Sequence, residues 1–229
     1  MKAVTRLSPN FGDRAGTERP SFVVLHYTGM ATFDDAIERL CSPESMVSAH
    51  YLVNEAGGVT QLVDESKRAW HAGSGEWARC NDINSHSIGI EIANPGDRPY
   101  SEDQMSSVEA LLEDIMSTWQ IPASGVIGHS DMAPDRKFDP GPKFDWRRLA
   151  LRGLSVWPEF GHGIEPDPHA FASAAAQFGY LKLPDPSDQG ALQTLLTAFR
   201  SRFRSWARGP LDEQDMGAIT FLADHHSAA

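Results

Sequence analysis

An α/β fold is predicted, with strands and helices alternating and a small three-helix bundle at the C-terminal end. Three observations predict it. Short apolar runs of strand length alternate with amphipathic helical stretches. A Gly57-Gly58 pair separates two such runs. Beyond a turn-rich opening at Glu165-Pro166-Asp167-Pro168 the strand-like alternation stops. The expected division is therefore residues 1–162 as one α/β body and residues 163–229 as the bundle.

Phe22-Val23-Val24-Leu25, flanked by Pro20 and by the turn around Thr28-Gly29, reads as a buried strand that ends at His26. Ser48 to Val53 and Val59 to Val63 flank the glycine pair and read as a hairpin, because its turn needs positive backbone angles. Ser87-Ile88-Gly89-Ile90-Glu91-Ile92 alternates strictly, so the three isoleucines share one face and Glu91 looks the other way. Ser101 with Gln104 forms a capping-box pattern. It opens a helix with apolar positions Met105, Val108, Leu111, Leu112, Ile115, Met116 and Trp119, ended near Pro122. Gly125-Val126-Ile127-Gly128 is a further short strand that delivers His129, and Phe144 to Arg152 reads as a helix after Pro142. In the last part, Phe171 to Phe178, the stripe Leu192, Leu195, Leu196, Phe199 and Phe203, and the stripe Met216, Ile219 and Ala223 mark three helices.

Composition narrows the function. The chain has 229 residues, 41% hydrophobic and 22% charged, the balance of a folded globular protein. A formal net charge of −11 argues against a nucleic-acid partner, since phosphate binding needs a basic footprint. Two cysteines, Cys41 and Cys80, are too few for a disulfide framework and lack thiolate metal spacing. No stretch reaches the roughly 18 apolar residues of a membrane span, and the opening Met1 to Pro9 has no apolar core of signal-peptide length. The expectation is a monomeric cytoplasmic chain, or one of the cell envelope if an export signal has been trimmed from its start.

A catalytic zinc takes three ligands from His and Asp or Glu and keeps a position for water. His26 and His129 leave the ends of two predicted strands, and Asp139 lies in a turn held by Pro140-Gly141. Spacing alone leaves two readings open, a metal site or hydrogen-bonded structural histidines.

The run His129-Ser130-Asp131-Met132-Ala133-Pro134-Asp135-Arg136-Lys137-Phe138-Asp139-Pro140-Gly141 resembles the zinc signature of the AmpD-like N-acetylmuramoyl-L-alanine amidases. Leu25-His26-Tyr27, Val47 to Tyr51, Arg68 to Gly73, and Cys80-Asn81-Asp82 leading into Ser87 to Glu91 resemble the same family in the same order. The resemblance spans about residues 20 to 150. It implies a mixed central β-sheet flanked by helices, one zinc ion held by His26, His129 and Asp139, and hydrolysis of the amide between the lactyl group of muramic acid and L-alanine in a muropeptide or peptidoglycan substrate. Between Asp82 and Ser87 the chain carries a longer connection, Ile83-Asn84-Ser85-His86, than the shortest members. His86 there reads as a polar loop residue.

Amide hydrolysis requires an activated water and a stabilised oxyanion. Glu91 is the candidate general base, able to return the proton to the leaving amine. Lys137 resembles the family's cation for the oxyanion. Tyr27, His50, Trp70, His71, Asn81 and Arg136 are candidate substrate contacts. His50 also reads as structural, because a further protein ligand would close the zinc to water. Trp70 and Trp77 each read as ligand contact or as packing.

Leu192 to Arg204 is similar to the central helix of three-helix peptidoglycan-binding domains, with Arg200 where Gln is usual. The arginines at 200, 202, 204 and 208 read as a charged outer helix face, with acidic wall polymer as the alternative partner. A cytosolic role in wall recycling is expected, with action on intact wall as the alternative and non-catalytic muropeptide binding as a third.

Overall fold

The computed structural model describes residues 3–161, 163–181 and 188–226. His162, the last residue of the expected first domain, lies outside the described residues, as do the first and last few residues. In chain order the strands are β1 (Val4–Thr5), β2 (Phe11–Asp13), β3 (Phe22–Tyr27), β4 (Tyr51–Val53), β5 (Val59–Gln61), β6 (Lys67–Ala69), β7 (Ser87–Ile92) and β8 (Val126–Gly128). The helices are α1 (Phe33–Cys41), α2 (Ile83–His86), α3 (Glu102–Trp119), α4 (His129–Met132), α5 (Trp146–Leu151), α6 (Pro168–Phe178), α7 (Gln189–Phe203) and α8 (Glu213–His225). Among the described residues no helix is long and apolar enough to cross a membrane.

Six strands form one mixed sheet in the order β1-β5-β4-β7-β3-β8, and β2 pairs with β6 in a separate antiparallel ribbon. The hairpin expected around Gly57-Gly58 is β4-β5, in antiparallel register with Val53 opposite Val59. Gly57 takes a positive φ of 78°, and a side chain there would press into the Asp103 carbonyl. Strands β4, β7, β3 and β8 run parallel to one another, with β8 at the edge of the sheet.

Alternation along the central strands sorts residues onto two faces. Val23, Leu25, Ile88, Ile90, Ile92 and Val126 pack against α3 and α5 through Val108, Leu112, Ile115, Trp146 and Leu149. Helix α3 begins with the full capping box, Ser101 and Gln104 each accepting from the other's backbone N–H. On the other face, α1 sets Ala36, Ile37 and Leu40 against Leu52 and Leu62. Val24 and Ile127 instead meet Phe171, Phe178, Leu195, Phe199, Phe203 and Ile219 of the C-terminal helices. The three expected C-terminal helices are present as α6, α7 and α8. They share one continuous core with the sheet, because their apolar stripes face Val24, Trp77 and Ile127 as well as each other.

The expected charged outer face of α7 is corrected. Arg200, Arg202 and Arg204 are buried, and only Arg208 is exposed. Arg202 donates from Nη1 to Asp131 Oδ2 at 2.6 Å and from Nη2 to the Val126 carbonyl at 2.9 Å, with its guanidinium 4.4 Å from the Trp146 ring centroid. Arg200 and Arg204 both pair with Asp215 of α8, which is fully buried. Arg200, the departure from the usual Gln, is thus spent inside the fold on that carboxylate.

A second network joins α3 to α5 at the buried Glu109, where Arg148 donates from Nε to Glu109 Oε1 at 2.6 Å and Arg152 from Nη1 to Glu109 Oε2 at 2.8 Å. The bond from Arg148 holds the Glu109 carboxyl below the usual carboxylate range, against the opposing effect of burial. A depressed folded-state pKa stabilises the fold above the unfolded value of about 4.3 and is lost as pH falls through the folded value.

Two outcomes follow. Arg202→Met should lower unfolding free energy by about 3–5 kcal/mol in urea titrations, because Asp131 is left buried and unpaired; a loss below about 1 kcal/mol would contradict this account. Glu109→Gln should cost about 2 kcal/mol at neutral pH, with the gap to wild type closing below about pH 4. A gap independent of pH would remove the ionic explanation.

Candidate metal and catalytic site

Parallel registry brings the site together. His26 of β3 stands directly beside Glu91 of β7, and Leu25 beside Gly128 of β8, so His129 emerges next to His26. The strand extends one residue beyond His26 to Tyr27. The chain then turns into α4 at His129, with Asp131 Oδ2 accepting the Gly128 N–H at 2.8 Å. Asp139 returns to the same point, and its carbonyl accepts the Ser130 N–H at 2.9 Å.

His26 Nδ1, His129 Nδ1 and Asp139 Oδ2 lie 2.8–2.9 Å from one another, and all three residues are buried. The group could hold a metal ion. Its chemistry fits one. His129 Nε2 lies 2.9 Å from the Ala72 carbonyl oxygen, which only accepts, so that nitrogen carries the proton and a neutral ring leaves Nδ1 as a lone pair. Burial, reinforced by repulsion from His129, pushes the His26 imidazole down to about 4, so this ring is neutral near pH 7. Burial would raise the Asp139 carboxyl, but the two imidazoles beside it, His129 and His26, outweigh that and hold it below the usual carboxylate range. Electron-rich donors crowded at this distance without a shared proton are mutually repulsive, and a cation removes the repulsion. Two imidazoles and one carboxylate suit zinc.

A cleft of about 370 Å³ opens over these atoms, lined by Tyr27, Trp70, His71, Glu91, Arg136, Lys137 and Phe138 among others. Glu91 Oε2 is shielded from solvent and has no hydrogen-bond partner among the described residues. Burial, and then repulsion from Asp139, raises the Glu91 carboxyl well above its ordinary value, with Lys137 opposing. A carboxylate raised toward neutrality and left without a partner is suited to exchanging a proton.

Of the expected substrate contacts, Tyr27, Trp70, His71 and Arg136 line the cleft. Arg136 also donates from Nη2 to the Ala72 carbonyl at 2.7 Å and from Nε to the Ser74 carbonyl at 2.9 Å, tying down the loop that supports His129. Two expectations are corrected. His50, immediately before β4, is fully buried, accepting at Nδ1 from the Gly89 N–H and donating from Nε2 to the Lys67 carbonyl, so both ring nitrogens are occupied. Asn81 is exposed just before Asp82, the N-cap of α2, and is not among the cleft-lining residues. Trp77 is core, packed edge-on against Phe178 and Tyr180. His86 ends α2, its Nδ1 3.0 Å from the Asp82 carbonyl.

Sequence reasoning passed over the other wall of the cleft, formed by Ala36, Arg39 and Leu40 of α1. A signal was present, since Thr32 caps the helix by accepting the Asp35 N–H and Asp34 and Asp35 occupy its first turn. Ser87 and Asn84, which hold His71 and its loop, were missed as well. Asn84 Oδ1 accepts the backbone N–H groups of both His71 and Ala72.

Residues 16–142 match the family model described as N-acetylmuramoyl-L-alanine amidase. The chain is 33% identical over 219 residues to N-acetylmuramoyl-L-alanine amidase AmiD of Escherichia coli, covering 83% of this chain and 77% of AmiD. It is 35% identical over 173 residues to 1,6-anhydro-N-acetylmuramyl-L-alanine amidase AmpD of Salmonella typhimurium, covering 66% of this chain and 91% of AmpD. Among solved structures, the E. coli AmiD complex with anhydro-N-acetylmuramic acid-L-Ala-D-gamma-Glu-L-Lys superposes with a TM-score of 0.83 at 27% identity, covering 96% of this chain and 99% of AmiD. AmpDh3 of Pseudomonas aeruginosa gives 0.81 at 30% identity, with 96% and 95% covered.

His129→Ala should abolish stoichiometric metal in purified protein while leaving the far-ultraviolet circular dichroism unchanged. Retention of one metal ion per chain by that variant would show that the ion sits elsewhere.

Proposed function

The chain belongs to the N-acetylmuramoyl-L-alanine amidase family, and from that membership we propose a zinc-dependent enzyme that cleaves the amide between the lactyl group of anhydro-N-acetylmuramic acid and L-alanine. Its proposed setting is the cytoplasmic recycling of soluble wall fragments. The observation that carries the reading is the convergence of His26, His129 and Asp139 beside the unpartnered Glu91 oxygen. Support for the fragment comes from the AmpD relatives, which are named for the 1,6-anhydro substrate, and from the AmiD and AmpDh3 complexes with anhydromuramic peptides.

His26, His129 and Asp139 would hold the zinc. When bound, zinc supplies a Lewis acid that makes water more acidic and polarises an amide carbonyl. Glu91 projects into the cleft from the strand beside His26 and takes the proton of the attacking water. With its raised pKa it then delivers that proton to the departing alanine nitrogen. Lys137, half-buried on the cleft wall, supplies a positive charge for the oxyanion. Trp70 and Tyr27 offer flat apolar surface to the sugar and peptide.

Intact wall is the second reading. It is favoured by the name of AmiD, N-acetylmuramoyl-L-alanine amidase, which is not restricted to the 1,6-anhydro fragment as the AmpD names are.

Glu91→Gln should keep its zinc and lose activity by about 10²–10⁴-fold, measured as release of a free alanine amino terminus from anhydromuramyl peptide. Full activity in that variant would exclude Glu91 as the base. Hydrolysis rates on soluble anhydromuropeptide and on purified sacculi separate the two settings, and cleavage of sacculi alone would sink the recycling role.

A further inference from the structure

Ser87 opens β7, fully buried, with its hydroxyl oxygen 2.6 Å from the Ile83 carbonyl oxygen. A carbonyl can only accept, so the hydroxyl proton of Ser87 is committed there. His71 Nε2 lies 3.2 Å from the same hydroxyl oxygen and must donate to it. A neutral imidazole carries one N–H, which leaves His71 Nδ1 as an acceptor. That atom stands 3.1 Å from His26 Nε2, which therefore donates. By the same rule the remaining nitrogen of His26, Nδ1, is a bare lone pair, and it faces His129 Nδ1 and Asp139 Oδ2.

We infer that Ser87 and His71 are positioning residues that select the tautomer of His26, so that its Nδ1 meets the metal without a proton to displace. The relay works against a competing state. In the metal-free protein a proton on His26 Nδ1 would be drawn to Asp139, 2.8 Å away. That tautomer leaves His26 Nε2 and His71 Nδ1 both bare and facing each other. Flipping the His71 tautomer merely moves the clash to Ser87, whose proton is already committed to Ile83. Either way a buried hydrogen bond is lost.

Two further features of the fold serve this relay. Gly89 lies inside β7, where a side chain would stand 2.4 Å from His71 Cγ, so the glycine makes room for the ring above the strand. Asn84 fixes the backbone at His71 through its Oδ1. For His129 the corresponding partner is a backbone carbonyl, Ala72, which needs no selection. Hydrogen bonds of this kind to the far nitrogen of a ligating histidine commonly change metal affinity by about 10–100-fold.

The inference rests on reading His26, His129 and Asp139 as the metal site, and one experiment separates the two. Zinc affinity is measured by chelator competition on metal-free wild type, Ser87→Ala and His71→Phe, with thermal midpoints of the metal-free forms as the folding control. Both variants should bind zinc about 10–100-fold more weakly than wild type. Equal affinity in folded variants overturns the relay, and no binding by wild type overturns the metal reading and the relay with it. If a variant does not fold, nitrogen-15 spectra of histidine-labelled, metal-free wild type decide. Protons on Nε2 of both His26 and His71 support the relay, and a proton on His26 Nδ1 overturns it.

Discussion

Asp131 shares a single helical turn with His129, and Arg202, from far along the chain, meets it where water is excluded. Asp131 accepts from the Gly128 N–H and the Arg202 guanidinium on one oxygen and from the Tyr180 hydroxyl on the other. The carboxylate thus sets the start of α4 and ties it to α7 and to the segment after α6. A charge buried this deeply is tolerable only while all its partners are in place. The geometry of His129 therefore depends on the C-terminal helices being docked, although none of them supplies a metal ligand.

The sheet supplies the complementary constraint. Because β3, β7 and β8 run parallel and in register, residues at equal depth are neighbours on the same face, which is why His26, Glu91 and His129 form a row. The faces also divide the labour. Isoleucines on β7 pack against α3, while on the reverse Gly89 admits a histidine ring and Glu91 presents an oxygen with no hydrogen-bond partner among the described residues. Helix α1 covers one end of that reverse face and the C-terminal helices the other, leaving the cleft between them.

This arrangement changes the meaning of the C-terminal helices. Their arginine-rich stretch invites an assignment to anionic wall polymer, yet Arg200, Arg202 and Arg204 neutralise Asp215 and Asp131 inside the molecule. Their apolar stripes are completed by Val24, Trp77 and Ile127 of the sheet. Likeness to AmiD along nearly the whole chain fits helices that are part of the enzyme's body.

Period and punctuation in the sequence were enough to determine the central strands, the hairpin at Gly57-Gly58, the capped helix α3 and the three C-terminal helices, since alternation, capping and turn chemistry are local properties. The facing of Glu91 was legible for the same reason, and the trio His26, His129 and Asp139, which could hold a metal, became legible through motif order. Burial and pairing were not. Whether His50 lines a cleft or fills a core, whether an arginine stripe meets solvent or Asp131, and which nitrogen of His26 carries its proton all depend on residues distant in sequence, such as Gly89, Ser87 and Lys67. Only the tertiary structure decided these, because desolvation and hydrogen-bond direction belong to the surroundings a folded chain creates and not to the residue itself.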